Sequence, residues 1–129
     1  MLIMNHCIRI LLVEDTHIAQ IIAKTQMMNQ GCEVDVADDG LTALEKALVI
    51  PYDLILMDIG LGSGPDGFEV TKQIKIQSTI NKSTPIVAVT SHQGEDYKEK
   101  AREVGMERYL NKPFTAEDAK NIVEYIKNK

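Results

Sequence analysis

The sequence predicts an α/β fold in which helices cover both faces of a parallel sheet. Short apolar runs and helical patterns alternate along the chain, and right-handed crossovers between such units build an open sheet. Three of the apolar runs are nearly continuous in Val, Ile and Leu, which is typical of strands buried on both faces. The chain has 129 residues, 44% of them hydrophobic and 26% charged, which suits one domain with an ordinary core.

Five segments are predicted as strands. In chain order they are IRILLV from Ile8, EVDVA from Glu33, LILM from Leu54, IVAVT from Ile86 and RYLN from Arg108. The segment at Glu33 alternates between polar and apolar residues, which is typical of an edge strand. We therefore place it at an edge of the sheet.

Amphipathic stripes predict helices between and after these strands, because such stripes usually cover the core. The members of the first stripe are Ile18, Ile21, Ile22, Thr25 and Met28. The second stripe, which Pro51 ends, consists of Leu41, Leu44, Ala47 and Leu48. The third follows the candidate N-cap Thr115 and consists of Ala119, Ile122, Val123 and Ile126.

Composition and charge exclude several classes of function. The net charge is −5, with 14 Lys and Arg against 19 Asp and Glu, so we expect no nucleic-acid partner. No apolar run approaches the roughly 20 residues of a membrane span, and the start lacks the pattern of a signal peptide. Cys7 and Cys32 have no metal-ligand spacing. We therefore expect a cytoplasmic protein with buried free thiols and no direct membrane contact.

Polar side chains follow four of the predicted strands. These residues are Glu14 and Asp15, Asp58, Thr90 and Ser91, and Lys112. In sheets of this kind ligands bind beyond the carboxyl ends of the strands, so the side chains are expected to converge. Carboxylates that converge repel one another unless a cation neutralises them, and Mg²⁺ prefers such oxygen ligands. The strand ends therefore predict a magnesium site.

An Asp carboxylate at such a site can attack a phosphoryl group and form an acyl phosphate. Phosphoryl transfer needs positive charge and hydrogen-bond donors around the transferred oxygens. Lys112 can supply the charge, Thr90 can supply a hydroxyl, and the small Ser91 leaves room. Each residue taken alone has an ordinary structural explanation, as a solvated lysine or the end of a strand.

From Ile8 to about Ile126 the chain resembles the receiver domains of two-component response regulators. LLVEDT, VADDGLTAL, YDLILMDI, TPIVAVTSH and YLNKPF match that family in order and spacing. The resemblance implies a single receiver domain over residues 8–129 after an N-terminal tail over residues 1–7. It implies a three-layer, doubly wound (βα)5 fold of the flavodoxin-like kind, with five parallel strands in the order 2-1-3-4-5. MDIGL and VTSH are most similar to receivers of hybrid sensor histidine kinases.

The resemblance also implies roles for the strand-end residues. Asp58 would be the phosphoacceptor, and Asp15 and Asp58 would ligate Mg²⁺ directly. Glu14 would act at the metal through water, and the backbone carbonyl of Gly60 would complete the protein ligands.

The resemblance also implies which residues bind the phosphoryl group and which take part in the conformational switch. Thr90 and Lys112 would bind the phosphoryl oxygens, with a cis peptide bond between Lys112 and Pro113. Tyr109 would be the aromatic switch residue that turns inward as Thr90 moves toward the phosphate. His92, two residues after Thr90, is a candidate for tuning hydrolysis, while His17 is expected on the exposed start of the first helix and His6 in the tail.

The implied partner is a histidine kinase or a histidine phosphotransfer protein that supplies the phosphoryl group. The signalling face would comprise the fourth helix, with its charged run over residues 95–103, the fifth strand and the last helix. The same face can support a weak dimer. The domain would not be a conventional enzyme, because it catalyses only its own phosphorylation and dephosphorylation.

Three alternatives stay open at this point. The chain can be the receiver module of a hybrid sensor histidine kinase that passes phosphate to a histidine phosphotransfer domain. It can be an Asp-nucleophile phosphatase, although such enzymes carry D-x-D and Gly60 stands where the second Asp is needed. It can also be a docking module that is never phosphorylated, which the complete set of acidic, Thr and Lys residues disfavours.

A G-x-G-x-x-G pattern at Gly62, Gly64 and Gly67 raises a further possibility, a dinucleotide site. The pattern follows the third strand instead of the first, and no acidic residue lies between Glu69 and Glu95 to bind a ribose, so this interpretation is disfavoured. Compared with the family the loop is one residue longer, and Gly62 stands where proline is usual. We expect the loop to be mobile when no metal orders it.

Overall fold

The computed structural model describes residues 7–129 and contains five strands and five helices in alternation. Of the predicted tail over residues 1–7, all but Cys7 lies outside the described residues, and so does His6. In chain order the elements are β1 Arg9–Val13, α1 His17–Met28, β2 Glu33–Ala37, α2 Gly40–Val49, β3 Leu54–Met57, α3 Gly67–Gln77, β4 Ile86–Thr90, α4 Glu95–Val104, β5 Arg108–Asn111 and α5 Ala116–Lys127.

The strands form one parallel sheet in the order β2-β1-β3-β4-β5, as the resemblance implies. The predicted edge position of the Glu33 strand is confirmed, since β2 is terminal. Val13 pairs with both Ala37 and Met57, so β1, β2 and β3 end level with one another. Residues that follow these strands therefore meet at one edge of the sheet.

Two apolar clusters confirm the three-layer architecture. Alternate residues of β1 and β3 face opposite sides of the sheet, because successive side chains of a strand do so. Leu11 and Ile55 belong to a cluster with buried residues of α2, α3 and α4. Ile10 and Leu54 belong to a second cluster with buried residues of α1 and α5.

The predicted core stripe is wrong for α1. Ile18 is 69% exposed, Ile21 52% and Met28 54%, whereas Ala23 and Met27 are buried against the sheet. Because interiors are close-packed, a helix that lies near a sheet selects the stripe whose side chains fit the gap, and a small residue such as Ala23 permits the close approach. The longer isoleucines therefore project into solvent.

The second stripe is wrong in part, and the third is confirmed. In α2 the buried residues are Gly40, Ala43 and Ala47, while Leu41 is 62% exposed. In α5 the predicted Ala119, Ile122 and Val123 are buried.

Local signals at the ends of elements are reproduced where the sequence predicted them. Thr115 caps α5 in a reciprocal capping box with Asp118, and the peptide bond between Lys112 and Pro113 is cis.

The two cysteines differ in exposure. Cys32 is buried as expected, but Cys7 is exposed because it precedes the first strand, so the expectation of two buried thiols is wrong for Cys7. Among the described residues, no helix has the length and apolarity needed to cross a membrane.

A buried polar network around Asn81 joins two connections at the amino-terminal edge of the sheet. Its side-chain amide donates to the carbonyls of Ala47 and Ile50, each at 2.7 Å, at the end of α2. Its side-chain oxygen accepts from the Tyr52 N–H at 2.9 Å and from the Thr84 hydroxyl at 2.9 Å. Asn81 thereby ties the segment before β3 to the segment before β4.

We expect Asn81→Ala to lower the free energy of unfolding by about 3 kcal/mol, because it leaves several buried donors and acceptors without a hydrogen-bond partner. Urea denaturation measures the change. Lys82→Ala, at the exposed neighbouring position, is the control and is expected to change stability by less than about 0.5 kcal/mol. Equal losses in the two variants would contradict a structural role for the network.

Candidate functional site

Side chains that follow three strands meet at the carboxyl edge of the sheet. Glu14 follows β1, Asp58 follows β3 and Lys112 follows β5. The Lys112 ammonium lies 2.6 Å from Oε1 of Glu14 and 3.1 Å from Oδ2 of Asp58. The predicted convergence of these residues is therefore observed.

Asp15 adds a third carboxylate to this edge. One carboxylate oxygen from each of Glu14, Asp15 and Asp58 lies within 4.8 Å of the others. Three ionised carboxylates and one ammonium leave a formal charge of −2 on the cluster. A divalent cation cancels that charge, and hard oxygen donors are the ligands that Mg²⁺ prefers. The donor set thus fits Mg²⁺.

Glu14 is fixed in place from both its side chain and its backbone. Its Oε2 accepts the Thr16 N–H at 3.0 Å, and it is only 3% exposed. The side-chain amide of Gln20 donates to the Glu14 carbonyl at 2.7 Å and to Oδ1 of Asp38 at 2.8 Å. Gln20 was not predicted as part of the site; the available signal was a glutamine among the apolar residues of α1, after the acidic pair.

Burial and charge shift the proton affinities of the paired residues. Burial raises the pKa of Glu14 above its ordinary value, and this effect outweighs the hydrogen bonds from Lys112 and Thr16 that lower it. Burial alone would lower the pKa of Lys112, but its hydrogen bond to Glu14 and the charge of Asp58 outweigh burial and raise it. Lys112 therefore stays a cation at neutral pH.

Asp58 is held by two donors. Besides Lys112 at Oδ2, the N–H of Gly60 reaches back to Oδ1 at 3.2 Å. The carboxylate is 5% exposed, so few waters compete with these contacts. These two hydrogen bonds and its position at the end of a fully buried strand make Asp58 a preorganised candidate for the nucleophile.

Thr90 and Tyr109 are joined through the backbone of His92 and do not contact the carboxylates in this state. The buried Thr90 hydroxyl accepts the N–H of His92 at 3.2 Å. The Tyr109 hydroxyl donates to the carbonyl of the same residue at 2.7 Å. Burial, with the charges of Tyr97 and Asp58, raises the pKa of Tyr109, so its hydroxyl remains a donor. The two predicted switch residues thus hold one peptide segment between them.

The imidazole of His92 lies over the loop that follows Asp58. A Cβ on Gly60 would lie 2.6 Å from Nε2 of His92, and the His92 and Tyr97 rings are 4.9 Å apart between centroids. Glycine at position 60 therefore makes room for the histidine. The sequence predicted His92 near the centre, and the structure places it there; its role in hydrolysis stays a prediction.

The fold and this strand-end cluster match one known family. A model of the response regulator receiver domain matches residues 10–124. The chain belongs to that family. It is thus a receiver domain of the kind found in two-component systems, as its LLVEDT, MDIGL and NKPF segments predict.

Receiver relatives occur both inside large kinases and in small proteins. A probable histidine kinase 2 of Oryza sativa subsp. indica is 34% identical over 132 residues, which cover 91% of this chain but 12% of that protein. Protein PilG of Pseudomonas aeruginosa is 33% identical over 86% of this chain and 81% of its own length. The chain therefore spans only a small part of the kinase relative.

A solved receiver domain is also similar in structure. The receiver domain of a sensor histidine kinase from Pseudomonas aeruginosa PAO1 superposes with a TM-score of 0.86 at 30% identity, covering 96% of this chain and all of that one. That structure has a magnesium ion coordinated in its active site cleft.

The raised pKa of Glu14 predicts a pH dependence in the metal-free protein. The folded state binds this proton more tightly than the unfolded chain, so the associated stability is present at low pH and is lost as the pH rises through the raised pKa. We expect the free energy of unfolding of the wild type, relative to Glu14→Gln, to fall as the pH rises above the ordinary value of 4.5.

Urea denaturation in EDTA measures this difference across the pH range. Glu117→Gln, at an exposed position in the first turn of α5, controls for the exchange of a carboxylate for an amide. A free energy of unfolding of the wild type that rises with pH relative to Glu14→Gln would contradict the prediction.

Proposed function

We propose that residues 8–129 form a single receiver domain that accepts a phosphoryl group on Asp58 from a phosphohistidine. The observation that carries this proposal is the placement of Asp58. It is a buried carboxylate at a strand end, with one oxygen hydrogen-bonded to the Lys112 ammonium and the other to the Gly60 N–H. Asp58→Asn keeps the shape of this group but removes the nucleophile.

The proposed reaction transfers a phosphoryl group from a histidine imidazole of the partner to Asp58. A carboxylate oxygen of Asp58 attacks phosphorus, an O–P bond forms, and the P–N bond to the donor imidazole breaks. The Lys112 ammonium would then bind the phosphoryl oxygens as well as the carboxylates. The Thr90 hydroxyl would donate a further hydrogen bond to a phosphoryl oxygen. Their contribution is positioning and electrostatic stabilisation, which supply most of the catalysis in phosphoryl transfer.

Mg²⁺ is the cofactor that we propose for this site. Asp15 and Asp58 would ligate it directly, Glu14 would act through water, and the carbonyl of Gly60 would complete the protein ligands. When bound, the cation draws charge from the transferred oxygens. The charge of −2 on the acidic cluster supports this assignment.

Phosphorylation would be transmitted through the peptide segment that Thr90 and Tyr109 hold. If the Thr90 hydroxyl turns to the phosphate, it releases the His92 N–H, and the Tyr109 hydroxyl loses a fixed partner at the His92 carbonyl. The segment leads into α4, so the surface of α4, β5 and α5 changes with it. That surface is the proposed signalling face and the place for a weak dimer.

The proposed partners are a histidine kinase and a histidine phosphotransfer protein. Two relatives support this class: a sensor protein of Escherichia coli K12, 35% identical over 82% of this chain, and a sensor histidine kinase of Pseudomonas protegens, 31% identical over 89%. The domain would thus act in a cytoplasmic phosphorelay, as a module of a hybrid kinase or beside one. It would act as a switch and not as a conventional enzyme.

Incubation with acetyl phosphate and Mg²⁺ tests the acceptor. We expect intact mass to show one added phosphoryl group on the wild type and none on Asp58→Asn, because the amide is not a nucleophile here. Asp66→Asn is the matched control, since Asp66 lies in the same loop and asparagine preserves its cap on α3. An adduct that persists in Asp58→Asn would overturn the assignment of the acceptor.

Tyr109→Phe tests the route from the site to the surface. The variant keeps the ring but removes the donor to His92, so we expect smaller phosphorylation-induced shifts of the amide resonances in α4. Phosphorylation itself should change by less than about threefold, because the Tyr109 hydroxyl does not touch Asp58. Tyr97→Phe, which keeps the ring beside His92, is the control; wild-type shifts in Tyr109→Phe would contradict the proposed route.

A further inference from the structure

Besides the bond from the Gly60 N–H to Asp58, the loop after β3 makes a long-range hydrogen bond to the acidic cluster. The backbone N–H of Gly62 donates to Oδ2 of Asp15 at 2.7 Å, across 47 positions of sequence. Asp15 is the exposed member of the cluster, so its carboxylate has less surrounding protein to orient it than Glu14 or Asp58. The hydrogen bond from the Gly62 N–H therefore orients the Asp15 carboxylate, which burial does not.

Glycine favours this contact over a larger residue and over proline. A Cβ at position 62 would lie 2.8 Å from Oδ2 of Asp15, closer than real Cβ atoms approach, so a side chain would push the carboxylate away. A proline, usual at this position in receivers, has no N–H to donate. The departure of this chain from the family pattern at Gly62 therefore creates a donor that a proline would lack.

The peptide that carries this N–H is anchored on its other side. The Leu61 side chain is 8% exposed and belongs to the apolar cluster that contains Met57 and Phe68. Because the Leu61–Gly62 peptide is planar, burial of Leu61 limits the directions in which the Gly62 N–H can point. The donor is thus preorganised toward Asp15.

We propose that the Gly62 N–H is a positioning group for the divalent-cation site: it binds Oδ2 of Asp15 and leaves Oδ1 to face the cation. This inference rests on the cation site of the proposed function. Within residues 7–129, the other hydrogen bond to the Asp15 carboxylate is a long one, 3.4 Å, from the Thr16 hydroxyl to Oδ1. The loop conformation and cation affinity are consequently coupled, since each depends on the direction of the same carboxylate.

The test is Mg²⁺ affinity, measured by isothermal titration calorimetry on the whole chain without a phosphodonor. Partners that orient a metal ligand typically contribute tenfold or more to affinity, so we expect Gly62→Pro to weaken the Kd by about tenfold. Gly62→Ala keeps the N–H but adds the Cβ that crowds Oδ2, and we expect a loss of about threefold, less than the loss of the donor itself. Ser63→Ala, at the next and exposed position, retains every backbone donor and is expected to match the wild type.

A second measurement separates positioning from folding. Thermal unfolding in EDTA should be nearly the same for Gly62→Ala and Ser63→Ala, and amide exchange followed by NMR should show the Gly62 N–H protected in the metal-free wild type and exchanging faster in Asp15→Ala. If Gly62→Pro does not fold, Gly62→Ala decides by the same comparison.

The outcomes distinguish this inference from the function on which it rests. Wild-type protein that binds no Mg²⁺ would overturn the proposed cation site. Wild-type protein that binds Mg²⁺ while the folded Gly62 variants bind within about twofold of it would overturn the positioning role of Gly62 alone.

Discussion

The ion pairs of Lys112 with Glu14 and Asp58 are the interactions on which the rest of the site depends. They join the ends of β1, β3 and β5, and the Lys112 N–H also donates to the Thr90 carbonyl at the end of β4. Burial removes most of the hydration of the Glu14 and Asp58 carboxylates, and their mutual repulsion is offset by the ammonium between them. The ammonium therefore holds the two carboxylates in place at one edge of the sheet.

Crowding around Asp58 explains the glycines that follow it. Position 60 is occupied in space by the His92 imidazole, position 62 by the Asp15 carboxylate, and a Cβ at Gly67 would lie 2.2 Å from the Asp58 carbonyl. Close approach within a receiver site thus accounts for Gly62 and Gly67 of the G-x-G-x-x-G pattern, without a dinucleotide. Gly64 has open space around it but a φ of 75°, a backbone conformation that favours glycine. The mobility expected of the loop stays a prediction.

The fold was predictable to different depths in different elements. Strand positions follow from short apolar runs, because a strand buried on both faces needs few other signals, and all five begin within a residue of their predicted starts. Helix faces were less predictable: the isoleucines of α1 and Leu41 of α2 are exposed, because a different face of each helix packs on the sheet. In α5 the predicted stripe and the buried face coincide at Ala119, Ile122 and Val123.

The sequence by itself determined the chemistry of the site: acidic residues, a lysine and a hydroxyl after successive strands, which parallel pairing must bring to one edge. Tertiary structure decided how those groups are connected. The contacts of Gly62 with Asp15, of Gln20 with Asp38 and of Tyr109 with the His92 carbonyl each join segments distant in the chain. Such contacts depend on the direction of single N–H and C=O groups, which residue type and periodicity leave unspecified and which packing of the surrounding side chains sets.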